Sequence, residues 1–250
     1  MMPFLTLAHQ LADQAGAIAR THFRTPIETT LKAGGYPVTA ADLAIESALR
    51  TTLTQAFPDH GILGEEFGET SFGGEYLWVI DPIDGTTSFA CGKPTFCTLI
   101  ALLRHGEPIL GIIDQPIIGD RWVGVEGQIT TWNGMPCSTN AHPDRIRLNC
   151  TTPAMFKTTD ERAMFEQLSK QASVISYGGD AYAYGLLAGG CIDVILEADL
   201  HYYDVAALIP IIDGAGGSIT DWKGQLLRRE TFEGKILAIG STNLFQKIMC

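Results

Sequence analysis

The run from Trp78 to Phe89, WVIDPIDGTTSF, constrains this chain more than any other stretch. Leu77, Trp78, Val79 and Ile80 form an apolar lead that suits a buried strand. The strand is expected to stop at Asp81-Pro82-Ile83-Asp84-Gly85-Thr86, because Pro82 has no N–H to give to a ladder. Gly85 lets the chain bend sharply and lets another group come close to the backbone. Two carboxylates, Asp81 and Asp84, then converge at a strand end with the Ile83 carbonyl between them, a set of hard oxygens suited to Mg²⁺. Gly85, Thr86 and Thr87 follow with N–H and hydroxyl donors for an anion. The combination points to metal-assisted chemistry on a phosphate.

An isolated Asp-Pro-x-Asp-Gly is also met as a plain turn with an Asx cap. A second alternative is excluded outright. Haloacid-dehalogenase-type phosphatases place a nucleophilic Asp two residues before the Asp-Gly-Thr of such a turn, and here that position is Pro82. Proline cannot attack phosphorus.

At 250 residues and 46% hydrophobic, the chain is expected to form one unit over 1–250. No stretch approaches the ~20 uninterrupted apolar residues of a membrane span, and the N-terminus lacks a basic segment followed by an apolar core. A cytoplasmic protein with no membrane partner is expected. Cys91, Cys97, Cys137, Cys150, Cys191 and Cys250 show no CxxC spacing and read as reduced and mostly buried. A formal net charge of −11 without a Lys/Arg cluster repels nucleic acid and suits a small cationic substrate.

In chain order, residues 4–24 carry Leu7, Leu11, Ala15 and Ile18 on one helical face, with Pro26 as the stop. A short strand over 28–32 and a Gly34-Gly35-Tyr36-Pro37 loop follow. Thr39 is an N-cap with Asp42 at N3, opening a helix to about Phe57; a capping box alone accounts for Asp42 as well as a role in a site does. Ile62-Leu63-Gly64 runs as a strand into Glu65-Glu66, of which only one can enter a given site. Alone, that pair reads as surface charge, and it gains weight only from the di-aspartate turn some fifteen residues later. Residues 92–132 read as a strand meander, hence an antiparallel or mixed sheet, and Asn133-Gly134 as a hairpin turn. Strands are expected at 146–151, 173–177, 191–198, 218–222 and 235–241, and helices at 160–171 and 181–189 and at the tail. Asp204 is expected to open one helix through Gly217, where an N-cap is the simpler account of it. The six histidines lack metal-ligand spacing.

Glu65-Glu66, DPIDGTTSF and Tyr203-Asp204-Val-Ala-Ala, in this order and spacing, resemble the inositol monophosphatase-like metal-dependent phosphatases. The resemblance runs from the first helix to the tail. It implies an α/β (α+β) fold, a layered α/β/α/β/α sandwich, and a homodimer. It implies two or three Mg²⁺ per site, held by Glu65, Asp81, the Ile83 carbonyl, Asp84 and Asp204. Gly85, Thr86 and Thr87 would bind phosphate, and Asp42 would hold the Thr86 hydroxyl near an attacking water together with Glu65. Tyr203 stands where the family's motif has Trp, and Leu43 where Arg is expected. GKPTFCTLIALL, PILGIIDQPIIGDRWVG and YGGDAYAYGLLA resemble the histidinol-phosphate phosphatase branch.

Mutually repelling carboxylates at Glu65, Asp81, Asp84 and Asp204 call for cations among them, and direct attack by water needs no covalent phosphoenzyme. By the same resemblance Asp84, Asp180 and Glu197 face the organic part of the ester, and extra carboxylates there favour an amine over a ring of hydroxyls. Taken singly, Asp180 is also a helix cap and Glu197 a solvated strand end. The competing functions are hydrolysis of inositol monophosphate, nucleotide 3′-phosphates or sugar bisphosphates, and a non-catalytic phosphate-binding protein on the same fold.

Overall fold

A computed structural model describes residues 1–26, 29–31, 37–70, 73–139 and 145–248, without the side chains of 245–247. Glu28, Lys32, most of the Gly34–Pro37 loop and Cys250 lie outside the described residues. The helices are α1 (Met2–His22), α2 (Ala40–Ala56), α3 (Thr86–Ala90), α4 (Thr159–Gln171), α5 (Asp180–Ala188), α6 (Tyr202–Val205), α7 (Leu208–Gly214) and α8 (Thr242–Ile248). The strands are β1 (Thr29–Leu31), β2 (Pro37–Thr39), β3 (Gly61–Gly64), β4 (Gly68–Thr70), β5 (Tyr76–Asp84), β6 (Cys97–Arg104), β7 (Glu107–Gln115), β8 (Asp120–Val125), β9 (Thr131–Trp132) and β10 (Met135–Pro136). The second half adds β11 (Arg147–Cys150), β12 (Val174–Tyr177), β13 (Val194–Glu197), β14 (Ser218–Thr220) and β15 (Ile236–Ile239).

Side-chain alternation on two sheets generates the layers. The eight-stranded sheet has the order β10-β9-β8-β7-β6-β5-β3-β4 and is antiparallel except where β3 pairs with β5. Trp78 and Ile80 of β5 point to one face, against Leu11 and Ala15 of α1 and Ile45 and Leu49 of α2. Val79 points to the other, into a core shared with α5, α6 and α7. The five-stranded sheet, order β12-β11-β13-β15-β14, sends Ile195, Ile236 and Ala238 into that same middle core. Its alternate residues Val194, Leu196, Leu237 and Ile239 pack outward on Leu168 of α4 and Leu244 of α8. The result is helix, sheet, helix, sheet, helix, the layered α/β sandwich expected from the sequence.

Three local readings need correction. β5 does not stop at Asp81 but continues to Asp84 across a bulge, its pairing with β6 shifting between Asp81↔Leu99 and Asp84↔Cys97. The Pro82 carbonyl is satisfied by the Thr98 hydroxyl at 2.8 Å, so the proline costs the strand one donor and no acceptor. The helix expected to open at Asp204 begins at Tyr202 and is interrupted at Ala206–Ala207. Pro210 explains the break, since it has no N–H for the Ala206 carbonyl one turn before it. Among the described cysteines, Cys97 and Cys150 are buried and Cys137 half-buried, but Cys91 and Cys191 are exposed, so the burial expectation holds only in part.

Gly111 of β7 and Gly124 of β8, paired across the sheet, let α6–α7 lie directly on it. A Cβ on Gly111 would come 2.0 Å from the Ala207 carbonyl oxygen, and one on Gly124 2.4 Å from the Ile211 nitrogen. That contact sets the depth at which Asp204 approaches the end of β5. Among the described residues, no helix is long and apolar enough to cross a membrane.

Candidate active site

The end of β5 is where three separate parts of the chain meet. Asp81 and Asp84 come from the bulged strand end, Glu65 from the turn between β3 and β4, and Asp204 from the first turn of α6. Asp81, Asp84 and Asp204 each bring a carboxylate oxygen within 4.8 Å of the others. Asp81 is 1% exposed, and its Oδ1 is buried with no hydrogen-bond partner among the described residues. Burial raises its pKa well above the carboxylate range, with the charges of Glu65, Asp84 and Asp204 adding to the shift. Asp84 is raised likewise by burial and by Asp180 and Asp204, against the Ala181 N–H that donates to its Oδ2 at 2.5 Å. Asp204 is pushed up to about 7, chiefly by burial, with Glu65 adding to it. Its Oδ2 accepts the His201 N–H at 2.6 Å, so it sits at the third helical position rather than at the cap.

A set of acids buried together at such cost calls for compensating positive charge. The orphaned Asp81 Oδ1 and the convergence of Asp84 and Asp204 fit a hard divalent cation, which takes carboxylate and carbonyl oxygens. The Ile83 carbonyl belongs to the same strand end and also lies 3.1 Å from the Thr86 hydroxyl.

Immediately beyond, Gly85 takes φ +83° and becomes the N-cap of α3. A side chain there would also strike Asp180, since a Cβ would lie 2.5 Å from its Cγ. The first N–H groups of α3, from Thr86 and Thr87, have no carbonyl partner within the helix and carry its positive end. The Thr86 oxygen lies 3.3 Å from Asp42 Oδ1. Asp42 also completes the capping box, its Oδ2 accepting the Thr39 N–H at 2.8 Å and the Thr39 hydroxyl at 2.5 Å. Asp42 thus serves the capping box through one oxygen and lies beside Thr86 through the other. Burial raises its pKa, as does the charge of Glu65.

Beside the acids opens a cavity of about 90 Å³. Asp84, Asp180 and Asp204 line one side, and Met155, Leu200 and the Tyr184–Glu197 pair the other. Glu197 is 4% exposed, not a solvated strand end: Thr151 N–H donates to Oε1 at 3.0 Å and Tyr184 O–H to Oε2 at 2.8 Å. Asp180, at the start of α5 with φ +46°, accepts from the hydroxyls of Ser88 at 2.6 Å and Thr95 at 3.2 Å. It ties α5 to α3 and to the loop that follows it while lining the cavity. Tyr203 stacks on His201 at 5.1 Å beside Asp204 and Glu65, and Leu43 is 42% exposed on the outer side of α2. A larger cavity, about 410 Å³, lies between α1 and the β7–β8 region, but its Arg121 is already paired with Asp13 and Asp114. Convergent acids with no ion pair among the described residues, not size, single out the smaller one.

The sequence profile of the inositol monophosphatase family matches residues 1–249. The chain belongs to the inositol monophosphatase family. It is 41% identical to the bifunctional phosphatase IMPL2, chloroplastic, of Arabidopsis thaliana, over 98% of this chain and 74% of that protein. It is 34% identical to the histidinol-phosphatase of Chlorobaculum parvum, over 90% and 88% of the two chains. Among solved structures, an inositol monophosphatase from Zymomonas mobilis superposes with a TM-score of 0.89 at 41% identity, covering 99% of this chain and 96% of that one. Inositol monophosphatase-family proteins are metal-dependent hydrolases, generally using Mg²⁺, that act on small phosphate esters. The acid cluster at the end of β5 suits that chemistry.

Several residues that build this site carried no signal on their own. Tyr184 and Thr151 hold Glu197, Ser88 and Thr95 hold Asp180, and Glu46 of α2 lies under the Glu65 turn. Only Glu46 had a sequence clue, its spacing of four from Asp42.

Proposed function

We propose that this protein hydrolyses histidinol phosphate to histidinol and phosphate, with Glu65, Asp81, the Ile83 carbonyl, Asp84 and Asp204 holding Mg²⁺. The observation that carries the substrate reading is the cavity beside the acids, where Asp180 and Glu197 present carboxylates and none of the described lining residues is cationic. A substrate whose organic part is cationic is rewarded there; a second phosphate is repelled. The histidinol-phosphatase relatives at 34% identity support the same choice.

When bound, Mg²⁺ would supply the positive charge that offsets the phosphate and makes water a better nucleophile. The chain itself acts by placement. The N–H groups at the start of α3 and the Thr86 hydroxyl receive the phosphate oxygens, with Asp42 fixing where that hydroxyl sits. Water adds to phosphorus as the ester oxygen leaves, and that oxygen takes up a proton to become the alcohol. Glu197, clamped by Thr151 and Tyr184, meets the ammonium or imidazole without spending rotamer entropy on binding. Met155 and Leu200 cover the apolar carbons of the same group.

Inositol monophosphate is the second reading, favoured by the Zymomonas mobilis structure at the same 41% identity as the plant relative. Its hydroxyls give the buried Glu197 and the half-buried Asp180 no charge to pair with. The test compares wild type with Glu197→Gln and Asp180→Asn on two esters. A lost charged hydrogen bond of ~1.4 kcal/mol or more raises the KM for histidinol phosphate about tenfold or more, while uncharged glycerol phosphate changes much less. Equal losses on both esters would mean that these carboxylates serve the acid cluster or the fold.

A further inference from the structure

Glu46 of α2 is fully buried, yet it lines neither the acid cluster nor the cavity. It stands one helical turn after Asp42 on the same face. Asp42 reaches toward Thr86 at the end of β5, and Glu46 reaches the other way, to the turn that carries Glu65. Its Oε2 accepts the Glu66 N–H at 2.7 Å, and its Oε1 the Phe67 N–H at 3.1 Å and Arg50 Nε at 2.8 Å. Arg50 continues across the hairpin to the Gly68 carbonyl and to Thr70 Oγ1 at 3.2 Å.

The glycine before Glu65 belongs to the same device. A Cβ on Gly64 would lie 2.0 Å from Glu46 Oε1, so only glycine admits the carboxylate beneath the turn. On the other side, the Glu65 N–H donates to the Ile80 carbonyl at 3.2 Å, the residue just before Asp81. Glu65 is thus gripped from both directions: its own N–H by β5, and the next two N–H groups by a carboxylate on α2. An apolar side chain of similar volume would leave the Glu66 and Phe67 N–H groups and Arg50 without their acceptor. What the carboxylate adds is direction, because it accepts two successive N–H groups and a guanidinium at once.

We propose that Glu46, braced by Arg50, is a positioning residue that sets Glu65 against Asp81 and so tunes the affinity of the acid cluster for its cation. This rests on the reading that Glu65 is one of the cation-holding groups. Glu46→Gln conserves volume but turns an amide NH₂ toward at least one of three converging donors. Three measurements on metal-free protein test it: amide hydrogen exchange at Glu66 and Phe67, calorimetric titration with Mg²⁺, and thermal unfolding in chelator. Exchange at both amides should quicken, and the Mg²⁺ dissociation constant should rise about tenfold or more, the scale for losing an outer partner of a metal ligand. Arg50→Lys should give a smaller change of the same kind, and it carries the test if Glu46→Gln does not fold. Glu65→Gln is the control. If it leaves Mg²⁺ binding intact, the cation reading of Glu65 fails; if it weakens Mg²⁺ binding while Glu46→Gln only lowers the unfolding temperature, the positioning role is overturned and the cation reading stands.

Discussion

Asp84→Asn should push stability and metal response in opposite directions. Asp84 has a carboxylate oxygen within 4.8 Å of those of Asp81 and Asp204. Two unit charges at that separation repel by ~3.5 kcal/mol in an effective dielectric of ~20. Proton uptake by the raised carboxyls already relieves part of this, so removing the charge should stabilise the metal-free protein by about 1–2 kcal/mol. The amide oxygen of Asn still accepts the Ala181 N–H that Asp84 holds, so no new buried donor is orphaned. For a chain of this size the gain corresponds to about 2–8 °C in unfolding temperature in chelator. Wild type should rise by a comparable amount on adding Mg²⁺, because a ligand at one hundred times its dissociation constant contributes ~2.7 kcal/mol. The variant should show almost none of that rise, and almost no turnover. Scanning calorimetry of both proteins with chelator and with excess Mg²⁺ reads all four states. A variant less stable than wild type in chelator, or one that keeps the full Mg²⁺ response, would refute the argument that these acids are assembled for a cation.

Three further outcomes are expected. Thr86→Ala should fold normally but lower kcat by ~10²-fold or more, the scale for one positioned donor; a raised KM with unchanged kcat would mean that Thr86 contributes only uniform binding. Gly111→Ala places a methyl 2.0 Å from the Ala207 carbonyl, so α6–α7 must lift; stability should fall by about 1–3 kcal/mol and Mg²⁺ affinity with it through Asp204, whereas loss of stability alone would separate that contact from the site. His60 stacks on Phe57 and accepts the Trp78 indole N–H at 3.1 Å, and burial lowers its pKa below the ordinary 6.5. With a depressed folded-state pKa, its contribution is intact above 6.5 and is lost as pH falls through the lower value. The unfolding-temperature advantage of wild type over His60→Gln should therefore shrink between about pH 7 and about pH 5 with Mg²⁺ present, and a constant difference would count against it.

The individual elements were legible because they are local, while their stacking into layers was implied by the family resemblance. The unbroken apolar run Leu77–Ile80 marked a strand buried on both faces, and the Thr39/Asp42 spacing marked the start of α2. Asn133-Gly134 turned the chain between β9 and β10 with both residues at positive φ. What sequence reasoning missed depends on distant partners. The strand end at Asp81 looked final because Pro82 breaks a regular ladder, but Thr98, sixteen residues on, satisfies the Pro82 carbonyl and the pairing resumes across the bulge at Asp84. Asp180 and Glu197 looked like ordinary element ends until Ser88, Thr95, Tyr184 and Thr151 were brought to them from other layers. Glu46 drew no reading from the sequence; its burial depends on a turn twenty residues away whose glycine leaves room for it. Local pattern reports capping and alternation, whereas these groups are defined by which layer folds over which.

The proposed reaction is cleavage of a cationic phosphate monoester with the help of Mg²⁺. Its most direct test is initial-rate phosphate release by the wild-type protein from histidinol phosphate and from inositol 1-phosphate, each with excess Mg²⁺ and with chelator. One charged hydrogen bond to Glu197 or Asp180, worth ~1.5–3 kcal/mol, predicts a kcat/KM at least about tenfold higher for histidinol phosphate, and no release in chelator. Equal or greater efficiency on inositol 1-phosphate would contradict the substrate, and release that persists in chelator would contradict the metal.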